Sequence, residues 1–394
     1  MKNTLIFITG LLFFAAWNWW LLQNAILLHA SDTKRKIGRI ALALLMVLFF
    51  LGIVPIVRHL PMTSIGAQRF LRTFYAFQVL ALWFGTTGLL LTGWNLCMRK
   101  YRLPPRPLAY ICLGAALLAA IIGHTQSGLP QLERYDLALP GVPPEADGYK
   151  ILLLSDLHLT QLYRTSVLDT VAQAIDAEKP HIILHSGDFL DSSRHGEITP
   201  LLQKIAVWNA PDGKYAVFGN HDGYAGWRES LEVHQQAGFT LLSGRMQTAE
   251  ASPQPWLHLA GVDDSWIWQT PHFPAHPKEG DEILAKNEAF ARCREQIPKP
   301  IPNLCNLLLC HGPEMADFMP EGYDAMLSGH THGGQLFPFN FVIFFTCKYP
   351  TSAWTALKNG GRLYICRGTG TWGPPFRLFV PPEMTLITLH HKSP

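Results

Sequence analysis

Two histidines stand two residues apart near the C-terminal end of the chain, in the stretch Gly329-His330-Thr331-His332. Side chains at alternate positions of an extended segment point to the same side, and neighbouring glycines let the backbone approach a ligand closely. Such a pair could form one side of a metal site. Because similar pairs also occur in ordinary turns, the other ligands have to come from elsewhere in the chain.

Further groups of potential metal ligands occur at four other places. They are Asp156-Leu157-His158, Gly187-Asp188, Asn220-His221-Asp222 and His311. Carboxylate, imidazole and amide ligands together suit Mn, Fe or Zn, whereas a purely structural zinc site would be rich in thiolates. Taken singly, each group has a simpler interpretation, because aspartates often cap helices and single histidines are often structural.

Each of the five groups follows a short apolar segment that is typical of a buried strand. These segments are residues 151–154, 182–184, 215–218, 307–309 and 325–327. Amphipathic segments of helical length, Ser166 to Ala177 and Trp227 to Ala237, lie between some of them. This alternation predicts an α/β fold. Open α/β sheets place their sites at the carboxyl ends of the strands, so we expect the five groups to meet in one crevice.

In this order, the groups resemble the pattern of the calcineurin-like metallophosphoesterases, which is D-x-H, G-D, G-N-H-D/E, H and G-H-x-H. The resemblance covers roughly residues 149–390. The ending RGTGTWGPPFRLFVPPEMTLITL is similar to the membrane-anchored branch of that family, which includes YkuE-like proteins and transmembrane proteins with a metallophosphoesterase domain. The resemblance implies a four-layer α/β/β/α sandwich that holds two divalent metal ions, with Mn, Fe or Zn as candidates.

The resemblance also implies the ligand set. The first metal would be held by Asp156, His158 and His332, and the second by Asn220, His311 and His330. Asp188 would bridge the two metals. Two cations held in this way lower the pKa of a shared water molecule and neutralise the oxygens of a phosphate during in-line attack.

Two further residues beside Asn220 have roles that the resemblance implies. His221 would protonate the leaving oxygen, and Asp222 would orient His221. The alternative for His221 is a capping or supporting role. Arg367 and Arg377 could bind a phosphate through paired hydrogen bonds or fix a loop, so we do not assign them to the site.

The distribution of charge divides the chain of 394 residues into two parts. Residues 1–130 contain twelve Lys or Arg and one acidic residue, whereas the remainder contains twenty basic and 28 acidic residues. The first part has four apolar runs, each near the ~20 residues that cross a bilayer. The runs are residues 5–28, 37–57, 70–96 and 108–122. We therefore predict a region of about four transmembrane helices over 1–128, a linker over 129–148 and the metallophosphoesterase domain over 149–394.

The basic residues between the apolar runs predict the orientation. The loops after the first and third runs carry four Lys or Arg each, and the loop between them carries three. Since basic loops stay in the cytoplasm, both termini and the catalytic domain are predicted to be extracytoplasmic. The resemblance to membrane-anchored bacterial phosphoesterases implies the inner membrane of a bacterium. A cleaved signal peptide is the alternative for the first run. No nucleic-acid partner is expected, and the sequence does not indicate an oligomeric state.

Two classes of function are compatible with these features. The first is a membrane-bound hydrolase of a phosphodiester, phosphomonoester or pyrophosphate, with a lipid-linked substrate such as a UDP-2,3-diacylglucosamine-type pyrophosphate. That particular substrate lies on the cytoplasmic side and conflicts with the predicted orientation. The second is a catalytically silent membrane receptor or scaffold, against which the complete ligand set argues.

An uncharged aromatic run, Gln335 to Phe345, begins three residues after His332. One interpretation is a buried strand or hairpin. Pro338 and Asn340 favour an irregular loop instead, and exposed apolar surfaces often bind lipid. In that second interpretation, an acyl-chain groove or a bilayer contact is formed by Phe337, Phe339, Phe341, Phe344 or Phe345.

The cysteines of the predicted catalytic domain are Cys293, Cys305, Cys310, Cys347 and Cys366. They form no C-x-x-C pattern, so no zinc knuckle or thioredoxin-like motif is indicated. The sequence leaves open whether Cys293 pairs with Cys305 and Cys347 with Cys366, or whether all are free buried thiols.

Overall fold

The computed structural model describes residues 65–98, 103–160, 163–191, 197–242, 250–269, 286–349 and 353–392. The chain divides into two compact units, Met1–Gly123 and His124–Pro394. Helices and strands are numbered along the chain within the described residues.

Two long apolar helices precede the sheets. They are α1 (Ile65–Cys97) and α2 (Pro105–Gln126), whose last three residues belong to the second unit. By length and composition, both could cross a membrane. Large apolar side chains such as Leu118 and Ile121 remain exposed on α2, whereas a core helix of a soluble protein would bury them.

These two helices contain the third and fourth predicted spans, residues 70–96 and 108–122. The first and second predicted spans, 5–28 and 37–57, lie outside the described residues. The described part of the chain therefore provides two candidate membrane helices, and a bundle of four stays a prediction.

The second unit contains two six-stranded sheets. The first sheet has the order β1-β12-β2-β3-β4-β5 and the second has the order β10-β11-β9-β8-β7-β6. The first sheet consists of β1 (Gln131–Leu139), β2 (Tyr149–Leu154), β3 (Ile182–His185), β4 (Lys214–Ala216), β5 (Thr240–Leu241) and β12 (Glu383–His391). The second sheet consists of β6 (Glu250–Gln254), β7 (Leu257–Val262), β8 (Cys305–Cys310), β9 (Ala325–Ser328), β10 (Thr355–Ala356) and β11 (Arg362–Ile365).

Strand β2 shows why the central strands are apolar throughout. Ile151 and Leu153 pack in the core between the two sheets, together with residues of the second sheet such as Leu309. Leu152 and Leu154 point the other way and belong to a separate cluster under the helices. Because both faces of the strand are buried, the sequence is continuously hydrophobic rather than alternating.

Helices cover the outer face of each sheet. The first sheet packs against side chains of α3 (Thr165–Glu178), α4 (Thr199–Ala206) and α6 (Trp227–Gln236). Ala289 and Cys293 of α7 (Lys286–Glu295) pack in a third cluster with residues of β8 and β9. The order is therefore helix, sheet, sheet, helix. Two shorter helices, α5 (Asn220–Ala225) and α8 (Phe339–Thr346), follow strand ends.

The segment 129–148 differs from the predicted linker. It contains β1, which pairs in parallel with β12 from Gln131 opposite Glu383 to Leu139 opposite His391. Leu137 and Leu139 are buried, Leu132, Glu133 and Tyr135 are half-buried, and the other residues of the strand are exposed. The prolines that made this segment resemble a linker border the strand, because proline is tolerated at strand ends.

All seven cysteines are free thiols. Neither of the two pairings that the sequence left open is formed, and Cys293, Cys305, Cys310 and Cys366 are buried. They contribute apolar volume to the cores.

Candidate metal centre

The predicted ligands follow the carboxyl ends of strands from both sheets. Asp156 and His158 follow β2, Asp188 follows β3, and Asn220 is the first residue of α5 after β4. His311 follows β8, and His330 and His332 follow β9. Parallel pairing of β2 with β3, of β3 with β4, and of β8 with β9 aligns these ends. Both sheets therefore contribute ligands to one crevice.

One group of ligand atoms consists of Asp156, His158 and His332. The Nε2 atoms of His158 and His332 are 3.0 Å apart. His332 Nε2 is 3.2 Å from Asp156 Oδ1, and His158 Nε2 is 3.9 Å from the same oxygen. All three residues are buried.

A second group consists of Asp188, His311 and His330. His330 Nδ1 is 3.3 Å from His311 Nε2 and 3.0 Å from the side-chain oxygen of Asn220. Asn220 therefore joins this group, as the resemblance implies.

Asp188, a member of the second group, also faces the first group. Its Oδ2 atom is 3.5 Å from His158 Nε2 in the first group and 3.1 Å from His311 Nε2 in the second. Its Oδ1 atom accepts a hydrogen bond from the backbone N–H of His221 at 2.8 Å. One oxygen is thus fixed by the backbone, and the other faces both groups, as a bridging ligand requires.

These positions fit two divalent cations. Ligand atoms that lie about 2.0–2.2 Å from one cation are roughly 3 Å from one another, in agreement with the separations above. The ring of His311 donates its Nδ1–H to the carbonyl oxygen of Ser186 at 2.8 Å, so Nε2 is the ring nitrogen that faces the site. Such a hydrogen bond from the second ring nitrogen is usual for metal-binding histidines.

The pKa values of the two ligand carboxyls, Asp156 and Asp188, favour their negatively charged forms. Burial alone would raise the pKa of Asp188, but the imidazoles of His311 and His221 hold it well below its usual range. Burial alone would lower the pKa of His311, whereas Asp188 and Asp156 raise it well above the ordinary value. Burial lowers the pKa of His332 to about 4. The centre therefore offers anionic oxygens and, at His332, a neutral imidazole.

The backbone at the ligands has an unusual conformation. Left-handed φ angles are found at Asp156 (53°), His158 (50°), Asp188 (58°), His330 (73°) and His332 (49°). These five are among nine non-glycine residues with positive φ in the described part of the chain. Such conformations cost of order 1–3 kcal/mol each and occur mainly at functional sites, where the surrounding structure enforces them.

Two glycines leave room for the ligands. A Cβ atom at Gly219 would overlap the carboxylate of Asp188, and one at Gly329 would overlap the side chains of Ser155 and Asp156. Any other residue at these positions would displace a ligand. The glycines of the G-N-H-D and G-H-x-H patterns are therefore required by packing.

His221 lies at the rim of the centre. Its Nδ1 is 2.6 Å from the backbone carbonyl oxygen of Asp191. Because a carbonyl oxygen only accepts, Nδ1 carries a proton and Nε2 is the atom available to a substrate. The ring stands edge-on to His158 at 4.7 Å between centroids.

Asp191 is a site residue that the sequence reasoning missed. Its Oδ1 is 3.2 Å from His158 Nδ1 and 3.6 Å from His221 Nδ1. It follows Asp188 by three residues in the loop after β3, and this short spacing to a predicted ligand is the signal that could have identified it. Asp191 contacts both the ligand His158 and the candidate acid His221.

Asp222 contacts backbone N–H groups near the bridging ligand. Its carboxylate is fully buried and accepts hydrogen bonds from the backbone N–H groups of Asp188, Phe189, Leu190 and Gly219, at 2.9–3.1 Å. These contacts lie with the backbone of the loop, and the implied role of Asp222 in orienting His221 stays a prediction. Asp222 fixes the loop that carries the bridging ligand, and Asp191 is the acid beside the His221 ring.

The two arginines left open by the sequence both hold loops. Arg377 is fully buried and donates to the carbonyl oxygens of Gly370 and His332. Arg367 forms ion pairs with Glu133 and Glu383. Their guanidinium groups are engaged in these contacts, and Arg377 Nη2 also lies 3.1 Å from Nδ1 of the ligand His332, so Arg377 contacts the metal centre through this ring.

The five phenylalanines of the aromatic run lie outside the metal centre. Phe339, Phe341, Phe344 and Phe345 are exposed on α8, and Phe337 precedes it. The interpretation of this run as a buried strand is wrong, and so is the irregular loop for its second half, because residues 339–346 form a surface helix.

Comparisons with known proteins agree with this geometry. Residues 149–334 match the family model described as calcineurin-like phosphoesterase. The metallophosphoesterase YkuE of Bacillus subtilis is 30% identical over 258 residues, which cover 63% of this chain and 81% of YkuE. The phosphodiesterase YaeI of Escherichia coli is 32% identical over 277 residues, which cover 68% of this chain and 90% of YaeI.

A vertebrate relative is also similar. A protein of Danio rerio named transmembrane protein with metallophosphoesterase domain is 25% identical over 289 residues, which cover 72% of this chain and 62% of that protein. The motifs, the two-sheet fold and these similarities lead to one conclusion: the chain belongs to the calcineurin-like metallophosphoesterase family.

Proposed function

We propose that the protein is a membrane-bound phosphoesterase that hydrolyses a phosphodiester, a phosphomonoester or a pyrophosphate with the help of two divalent metal ions. The observation that carries this proposal is the position of Asp188, whose Oδ2 faces ligand atoms of both groups at 3.1 and 3.5 Å. A receptor that only binds phosphate would not need two complete ligand groups. The geometry therefore favours hydrolysis over the silent receptor.

The metal ions would be held by Asp156, His158 and His332 on one side and by Asn220, His311 and His330 on the other, with Asp188 between them. When bound, two such cations lower the pKa of a shared water molecule and neutralise phosphate oxygens. Mn, Fe and Zn suit the nitrogen and oxygen ligands.

His221 would act as the general acid. Its Nδ1–H is held by the Asp191 carbonyl oxygen, so Nε2 would deliver the proton to the leaving oxygen. The rings of Tyr224 and Trp372 lie 5.0 and 5.9 Å from the imidazole and restrict its movement. A positioned acid of this kind contributes typically ~10²–10⁴-fold to the rate.

A phosphodiester linked to a lipid is the substrate class that we favour. The relative named phosphodiesterase YaeI supports the diester. The two apolar helices and the relative named as a transmembrane protein support a site held at a membrane. With the catalytic domain outside the inner membrane of a bacterium, the lipid would come from the outer leaflet. A UDP-2,3-diacylglucosamine-type pyrophosphate becomes the better candidate if the domain faces the cytoplasm.

A substrate screen on the purified full chain tests the proposal. We would compare bis-p-nitrophenyl phosphate, p-nitrophenyl phosphate and a lipid-linked pyrophosphate, each with Mn, Fe or Zn added. The proposal predicts that the wild type hydrolyses at least one of these substrates. A chelator should abolish this hydrolysis, and the Asp188→Asn variant should not show it. Absence of turnover with all three substrates and all three metals would favour the receptor.

A further inference from the structure

Helix α8 is a surface helix without a charged residue. None of its residues is buried, and Phe341, Phe344 and Phe345 are 53%, 59% and 79% exposed. Large aromatic side chains are normally buried for most of their area. Three exposed ones on two turns of one helix therefore indicate a surface that binds another molecule or a membrane.

The exposed surface continues beyond α8. The Phe337 ring packs against the rings of Phe341 at 5.8 Å and Phe379 at 5.5 Å, and Phe379 is 70% exposed. We define the aromatic face as Phe341, Phe344, Phe345 and Phe379. At about 200 Å² for each side chain, this face exposes roughly 500 Å², which equals the largest apolar patches of ordinary monomeric proteins.

The aromatic face is firmly connected to the metal centre. The Gln335 side chain donates to the carbonyl oxygen of Trp372 and accepts from the N–H of Trp372, each at 2.9 Å. The Trp372 ring is in turn 5.9 Å from the ring of His221. Gln335 itself follows the ligand His332 by three residues. A molecule that lies on the aromatic face is therefore close to the rim of the catalytic crevice.

The loop that contains Trp372 is held by residues at and just after the end of the apolar helix α2. Ser127 donates a hydrogen bond from its hydroxyl to the carbonyl oxygen of Pro375 at 2.8 Å, and the ring of His124 is 5.2 Å from that of Phe376. All four residues belong to the second unit. The loop between Trp372 and Phe379 is thus fixed at the point where the chain leaves α2.

We propose that the aromatic face inserts into the surface of the lipid bilayer that α2 crosses, so that the metal centre takes its substrate from the headgroup region. This inference rests on the proposed membrane-bound function. A bilayer is favoured over a protein partner because, if α2 crosses a membrane, each copy of the protein is always attached to a bilayer. The four phenylalanine side chains also lack a hydrogen-bonding group that could specify a protein, whereas aromatic rings suit the bilayer interface.

Lipid quenching of a site-specific fluorophore tests the insertion without measuring activity. In a background of Cys97→Ser and Cys347→Ser, a bimane label is attached after Phe345→Cys or Phe379→Cys in the full chain reconstituted into vesicles. The matched control is Val207→Cys, because Val207 is 78% exposed on the loop before β4, at the opposite end of that strand from the ligands. We expect doxyl lipids to quench the labels at 345 and 379 at least twofold and to leave the label at 207 unchanged.

Equal quenching at all three positions, or none at any of them, would overturn the inference. Two labelled positions are used so that a folding defect in one variant still leaves a decisive measurement in the other.

An activity ratio provides a second readout. We would measure hydrolysis of a long-chain phosphodiester in vesicles and of bis-p-nitrophenyl phosphate in solution. The combined change Phe341→Ser and Phe345→Ser should lower the ratio of the two rates at least tenfold, and Val207→Ser should keep it. An unchanged ratio in the phenylalanine variant would contradict the inference.

The two proposals fail in different ways. If the wild type hydrolyses no phosphate ester, the proposed function is wrong, while quenching at 345 and 379 still decides the membrane contact. If the wild type is active and neither label is quenched, the function stands and the membrane contact is wrong.

Discussion

The Asp222 carboxylate is expected to stabilise the loop that carries the bridging ligand, and Asp222→Asn tests this role. In the wild type, the carboxylate accepts four backbone N–H groups, those of Asp188, Phe189, Leu190 and Gly219. Asparagine has almost the same shape, but it keeps only one acceptor oxygen and turns an NH₂ donor toward the remaining N–H groups.

The expected magnitude follows from this geometry. About half of the N–H groups lose their acceptor, and each buried donor without a partner costs about 1–3 kcal/mol. Because a neutral amide is easier to bury than a carboxylate, part of this loss is offset, and we expect the free energy of unfolding to fall by roughly 2–4 kcal/mol. For a domain of this size, the change corresponds to a decrease in Tm of roughly 5–15 °C.

Thermal unfolding of the full chain in detergent, with metal removed by chelator, measures the effect directly. Metal content after desalting is measured in parallel, because a displaced Asp188 should bind metal more weakly. The matched control is Asp176→Asn, an exposed aspartate on α3, which should leave Tm nearly unchanged since surface substitutions are usually within about 0.5 kcal/mol.

One result would refute this reasoning. If Asp222→Asn keeps the wild-type Tm and both metals but loses turnover as strongly as His221→Ala, then Asp222 acts on His221, as the family resemblance implied.

Three further predictions concern other parts of the molecule. His221→Ala should retain metal and slow turnover by ~10²–10⁴-fold, with a smaller loss on p-nitrophenyl esters than on unactivated esters; equal losses in steady-state assays would count against its role as general acid. If the catalytic domain is extracytoplasmic, a phosphatase reporter that requires oxidation should be active when fused after Pro394, and a GFP fusion should not fluoresce. The reverse pattern would place the catalytic domain in the cytoplasm. Lys214→Met should lower the free energy of unfolding by about 2–4 kcal/mol, because Lys214 Nζ donates to carbonyl oxygens at the ends of α4 and α6. Denaturant titrations measure this change, and an unchanged midpoint would show that these contacts do not stabilise the fold.

The positions of the ligands were predictable from the sequence. Each of the five groups follows an apolar segment, and the parallel register of β2 with β3 and of β8 with β9 brings those ends together, as expected for an α/β fold. The contribution of both sheets to one crevice was implied by the family resemblance, because strand patterns alone do not specify which strands are neighbours.

Other features depend on tertiary contacts that the sequence does not display. Asp222 and Asp191 are both aspartates close to a predicted ligand, and only the three-dimensional contacts show that Asp222 binds backbone N–H groups while Asp191 lies beside His221. Strand β1 was missed because prolines border it and its alternating pattern is short. Helix α8 was not foreseen because Pro338 and Asn340 favoured an irregular loop, whereas residues 339–346 form an exposed helix.

A count of bound metal in wild type and in Asp188→Asn tests the central claim most directly. The full chain, purified and loaded with Mn, Fe or Zn, would be desalted and measured by inductively coupled plasma mass spectrometry together with phosphodiester hydrolysis. We expect about two metal ions per chain in the wild type, and fewer than one with loss of hydrolysis in Asp188→Asn, because a neutral amide bridges two cations poorly. A wild type that hydrolyses the ester with a single metal, or an Asp188→Asn variant that keeps both metals and more than about a tenth of the activity, would contradict the two-metal account.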